Sequence, residues 1–110
     1  MEDSIQHMYE KGRKAFKEVE FWPQEKVDEM VLSVAWELLK EDVRKKLGFL
    51  AVEESEIGNA EDKVAKIYNK SLGTLWDQRD AKTCGLIEEN KESGIRKFAK
   101  PIGVVANVVP

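Results

Sequence analysis

Two side chains invite a chemical reading: the single cysteine, Cys84, and the single histidine, His7. A catalytic thiol needs a neighbouring base or cation to make it a thiolate. Cys84 sits in Thr83-Cys-Gly-Leu-Ile87 with no histidine near it in sequence, so it reads as a small packed residue, the common fate of a free cysteine. His7 lies between Gln6 and Met8 with no second ligand three or four residues away. Zinc sites take three or four ligands at set spacing, so His7 reads as a surface residue. The carboxylate pairs Glu53-Glu54 and Glu61-Asp62 could suggest acid–base work. Adjacent positions on a helix point in different directions, however, which favours capping or solvated roles. Trp22, Trp36 and Trp76 read as core and helix-junction packing rather than a stacking set for a ligand. No Gly-x-Gly-x-x-Gly loop is present to cradle a dinucleotide phosphate. The chain is therefore expected to contain no catalytic residue and no metal ligand.

Composition narrows the classes further. Charged residues make up 35% of the 110 positions, with both signs interspersed and a net charge of −3. No basic cluster stands out as a phosphate-tracking stripe, so nucleic acid is not an expected partner. The apolar runs fall far short of the ~20 residues that span a bilayer, and no membrane association is expected. Met1-Glu-Asp-Ser4 has neither the basic start nor the apolar stretch of a secretory signal. One cysteine excludes an internal disulfide and suits a reducing compartment, so a cytoplasmic location is expected. The length supports one domain.

The elements that would position any site are legible from periodicity. Ile5, Met8, Ala15, Phe16 and Val19 mark a first helix over about 4–20, and Phe21-Trp22-Pro23 ends it. Pro23 suits the first position of the next helix, where a missing N–H costs little. There Val27, Met30, Val31, Val34, Ala35, Leu38 and Leu39 recur at i, i+3, i+4, i+7 and onward, one face at helical period. A third helix opens at Lys40-Glu41-Asp42, carries Val43, Leu47, Leu50 and Ala51 on one side, and ends at Ile57-Gly58-Asn59. Asn59 is placed to cap a fourth helix whose stripe is Val64, Ile67, Tyr68, Leu72, Leu75 and Trp76. The period then changes. Thr83–Glu88 and Ile95–Lys100 flank a polar segment ending in Gly94, which reads as a β-hairpin over about 83–100.

The last residues, Ala99-Lys-Pro-Ile-Gly-Val-Val-Ala-Asn-Val-Val-Pro110, are nearly all apolar and mostly β-branched after Gly103. Such a run suits a strand over about 103–109, covered on both faces as in a parallel sheet. Parallel partners are reached by crossover connections. The expectation is that the chain is the front end of a larger α/β protein.

Helices, then a hairpin, then Pro101-Ile-Gly-Val-Val105 leading to Val108-Val-Pro110: this order resembles the N-terminus of the aldehyde dehydrogenase superfamily. Leu50-Ala-Val-Glu-Glu-Ser-Glu-Ile-Gly58, Glu61-Asp-Lys-Val-Ala-Lys66, Gln24-Glu-Lys-Val-Asp28 and Ala99–Val105 are similar to its coenzyme A-acylating branch. The resemblance covers most of the chain and is patchy only in the first twenty residues. It departs from the family at Cys84, where relatives usually carry an aliphatic residue, and at Gly48, where Ala is common. What it implies is an α/β fold: N-terminal helices, a β-hairpin and the first strand of the dinucleotide-binding domain. The helices would pack on that domain, and the 83–100 hairpin would join a ribbon used in homo-oligomerisation. Val108, Val109 and Pro110 match family positions lining the NAD or NADP site.

The chemistry the resemblance implies is oxidation of a small aldehyde. A cysteine thiolate adds to the carbonyl, hydride passes to NAD(P)+, and coenzyme A takes the acyl group from the resulting thioester. The catalytic residues are expected to lie outside these 110 positions. Two other readings stay open: a non-acylating aldehyde dehydrogenase that releases free acid, and a non-catalytic helical interaction module.

Overall fold

The computed structural model of the protein describes residues 2–108. The elements run α1 (Glu2–Val19), α2 (Gln24–Leu39), α3 (Glu41–Ser55), α4 (Ala60–Gln78), β1 (Gly85–Asn90) and β2 (Ile95–Ala99). The helices and the hairpin fall where periodicity places them, to within a few residues. The chain divides into two units, one of residues 1–27 with 82–110, the other of residues 28–81.

In the second unit α3 packs against α4. The contact is close because Gly48 lacks a side chain: a Cβ there would lie 2.6 Å from Val64 Cγ2, 3.0 Å from Val64 N and 3.2 Å from Ala60 O. Gly48 is the one fully buried residue among those described. Around it Val43, Leu47, Ala51, Val64 and Ile67 are half-buried, whereas Leu50, Tyr68, Leu72 and Trp76 of the expected stripes are exposed, so only part of each stripe is turned inward. The turn between them differs in detail from the expected glycine stop. Glu56 takes the left-handed conformation (φ 56°), its N–H returning to Val52 O at 2.8 Å, while Gly58 (φ 76°) follows two residues later. Glutamate in that region carries a Cβ penalty that glycine avoids. The Ser55 hydroxyl ties the same turn down, donating to Ala51 O and accepting from Ile57 N–H.

Asn59 caps α4 as expected. Its Oδ1 accepts from Asp62 N–H at 2.8 Å, and its Nδ2 donates to Asp62 Oδ2 at 2.6 Å. This reciprocal arrangement satisfies an N–H left over at the helix start.

In the first unit β1 and β2 form a two-stranded antiparallel sheet with a register of Gly85↔Ala99, Leu86↔Phe98, Glu88↔Lys97, Glu89↔Arg96 and Asn90↔Ile95. The shift between Leu86 and Glu88 leaves Ile87 as an extra residue, a β-bulge that no feature of the sequence announces. Asn90 Oδ1 accepts from Glu92 N–H and Ser93 N–H, both at 3.0 Å, closing the turn, and Gly94 (φ 70°) returns the chain. Opposed charges pair across the strands: Lys97 with Glu88 at 2.6 Å and Arg96 with Glu89 at 2.7 Å.

Residues 101–108 take no strand partner, and the single sheet among the described residues is the hairpin. Extended backbone becomes a strand only against a partner's ladder of donors and acceptors, and apolar β-branched side chains cannot supply one. The segment lies along α1, where a Cβ on Gly12 would meet both Val104 methyls at 3.3 Å. The tryptophans are a correction. Trp22 is half-buried, but Trp36 and Trp76 are 68% and 66% exposed, so neither is a core residue here. Trp76 is instead covered on one face by the Arg79 guanidinium, 4.3 Å from its ring centre.

Candidate functional site

None of the residues singled out for possible chemistry is assembled into a catalytic group. His7 is exposed on α1. Among the described residues no cluster of His, Cys, Asp and Glu could hold a metal ion. Glu53 and Glu54 are exposed, and Asp62 belongs to the α4 cap. Glu41 carries a perturbed carboxyl. The Lys45 ammonium bonds to it at 2.5 Å and holds it below the ordinary glutamate value, by hydrogen bond first and by charge second. Both groups are solvent-facing, one turn apart in α3, and this is a surface pair.

The most organised polar cluster lies at the root of the hairpin. Gln24, in the first turn of α2, reaches residues 83 and 84. Its Oε1 accepts from Thr83 N–H at 2.7 Å and Cys84 N–H at 3.1 Å, and its Nε2 donates to Thr83 Oγ1 at 3.0 Å. The Cys84 thiol donates to the same Oε1 at 3.6 Å. A cavity of about 570 Å³ opens beside this cluster, walled by Phe21, Trp22, Pro23 and Phe98. Gln24 was visible in the sequence only as part of a family-like stretch; its reach across some sixty positions leaves no local signal.

A second concavity, an open groove of about 480 Å³, runs between α2 and α4 in the 28–81 unit, floored by Met30, Val31, Val34, Leu38 and Leu75 with Lys70 and Gln78 at its rim. α2 is apolar on more than one side: Leu32 and Trp36 are exposed away from the Met30–Val34 stripe. A helix of that kind belongs in an interior.

Of the positions matched to a cofactor site, Val108 is 94% exposed on irregular backbone, and Val109 and Pro110 lie outside the described residues.

Comparison with known proteins supplies what the geometry does not. The chain is 42% identical over 106 residues to a sulfoacetaldehyde dehydrogenase of an Acholeplasma species, covering 96% of this chain and 22% of the relative. It is 41% identical over 107 residues to the acylating sulfoacetaldehyde dehydrogenase of Bilophila wadsworthia, covering 97% and 23%. It is 41% identical over 110 residues to the acetylating succinate-semialdehyde dehydrogenase of Clostridium kluyveri, covering 99% and 24%. No family model and no solved structure matches. Identity of this extent over nearly the whole chain makes it a homologue of the aldehyde dehydrogenases. It aligns to the N-terminal part of those enzymes, two of which are named acylating or acetylating. The chain spans about a quarter or less of the length of these relatives.

Proposed function

We propose that the chain is the N-terminal portion of an oxidoreductase that converts a short aldehyde, coenzyme A and NAD(P)+ to an acyl-CoA through a cysteine thioester. The nucleophile, the oxyanion donors and the cofactor-binding loop lie outside these 110 residues in this reading. The observation that carries it is the 41% identity to an acylating and an acetylating enzyme over 97–99% of the chain. The helices pack on the dinucleotide-binding domain of the longer enzyme. Residues 103–109 become a strand of its sheet, where Val108, Val109 and Pro110 border the nicotinamide dinucleotide. The exposed apolar flanks of α2 support the packing, and the unpaired 101–108 segment supports the strand. The 83–100 hairpin, exposed along both strands, serves as the homo-oligomer ribbon. A cytoplasmic setting suits the unbridged Cys84.

The test is reduction of NAD+ or NADP+ by the protein expressed with its complete reading frame, using acetaldehyde, succinate semialdehyde and sulfoacetaldehyde. Turnover is expected to require coenzyme A and to yield acyl-CoA. Release of free acid at a rate indifferent to coenzyme A would assign the hydrolytic chemistry instead. The Cys84→Ser variant of that protein is expected to keep most of its turnover, because Cys84 is not the nucleophile; complete loss of activity would overturn that assignment.

A further inference from the structure

We propose that Gln24 is a positioning residue, a latch that fixes the root of the hairpin against the first turn of α2. Two observations carry this. The first is where the ribbon gets its support. Both strands are exposed along nearly their whole length, and only their root, at Gly85, Phe98 and Ala99, borders Phe21, Trp22 and Pro23. Residues 81–84, which lead into β1, are neither helix nor strand, and their N–H groups have no ladder of their own. The bonds that hold residues 83 and 84 come from one carboxamide. Its oxygen accepts from the N–H groups of Thr83 and Cys84 while its nitrogen donates to the Thr83 hydroxyl, so the backbone donors at the root are met by a side chain.

The second observation is that the latch is mounted on a fixed base. Pro23 presets the backbone at the entry to α2, and its carbonyl accepts from Lys26 N–H at 3.1 Å and Val27 N–H at 3.2 Å. Gln24 stands one residue further on, in the first helical turn. Its side chain ties the hairpin root to that turn. Under the reading that the ribbon joins a second subunit, Gln24 steadies the base of the subunit contact; the latch itself can be tested without that reading.

The experiment uses the whole 110-residue chain as wild type, Gln24→Met and Gln24→Glu. Amide hydrogen exchange is followed at Thr83 and Cys84, with Ile67 in α4 as an internal control, and Cys84 is titrated with iodoacetamide. Met keeps the length of the side chain and removes every hydrogen bond. It is expected to speed exchange at both amides about tenfold, the scale of losing a net hydrogen bond, and to accelerate alkylation, leaving Ile67 unchanged. Glu keeps two acceptors for the two N–H groups, so protection is expected to persist. Its carboxylate beside the thiol disfavours the thiolate, so alkylation is expected to fall below the wild-type rate. This split between the variants is what general loosening would not produce. Unchanged exchange in the Met variant, or equal acceleration at Ile67, overturns the proposal. Sedimentation of the complete enzyme with and without residues 86–98 addresses the subunit reading separately: an intact latch with no change in assembly refutes the ribbon's role and leaves the latch standing.

Discussion

Gly48→Ala is the sharpest probe of the 28–81 unit, because two effects of opposite sign meet at one atom. In an exposed helix interior the change favours the folded state by about 1 kcal/mol, the difference in helix propensity between Gly and Ala. Here the new methyl would lie 2.6 Å from Val64 Cγ2, 3.0 Å from Val64 N and 3.2 Å from Ala60 O. Two of these three neighbours are backbone, which cannot rotate away. The third belongs to a β-branched side chain with one favoured helical rotamer. Relief therefore requires α3 and α4 to move apart, and overpacking of this kind costs about 1–3 kcal/mol. The clash wins, and we expect a net destabilisation of about 1 kcal/mol, up to ~2. Urea unfolding followed by helical circular dichroism should show a lower midpoint at unchanged slope. Val64→Ala in the same background should return part of the loss, as a favourable coupling of about 0.5 kcal/mol or more in a double-mutant cycle. The backbone contacts keep the recovery incomplete. A Gly48→Ala chain more stable than wild type would show that the helices are not held this close. Where the family carries Ala at this position, the same reasoning requires a wider spacing between the two helices.

Two further outcomes follow from the caps and surface pairs. Asn59→Ala removes both halves of the reciprocal bond with Asp62 and should cost about 1 kcal/mol, read as a lower thermal midpoint and faster amide exchange in the first turn of α4. Asn59→Asp should retain most of that stability; an unaffected Ala variant would remove the cap from the account. Glu41 should titrate below an ordinary glutamate in a carboxyl-resolved NMR series. Its depressed folded value means that its contribution is present above the unfolded pKa and is lost as the pH falls through the folded one. Lys45→Met should bring the titration back up, and an unmoved midpoint would refute the pairing.

The elements that sequence alone reveals are those whose signal is local. The α2 stripe, the Asn59 cap and the Gly94 return are each encoded within a few neighbouring residues, and each stands where periodicity and turn chemistry place it. The features that were hidden depend on distant partners. Gly48 in isolation looks like a weak spot in a helix; its reason, the backbone of α4, is a dozen residues away. Gln24 looks like an unremarkable polar residue until the chain returns some sixty positions later. The 103–108 run has the composition of a buried strand, and composition cannot supply the neighbour that would make it one. Trp36 and Trp76 fail as core residues for the same reason: an apolar stripe states a need for cover, not that cover is present.

The bulge at Ile87 has a consequence for which length changes the hairpin can accept. Deleting that residue would leave Leu86 facing Phe98 and Glu88 facing Lys97, so every cross-strand pair, including both ion pairs, would survive. The local kink and added twist would not, since they come from the surplus residue. An in-frame loss of this one codon would thus yield a well-paired but differently aimed hairpin, while added codons at residues 91–94 would only lengthen its tip.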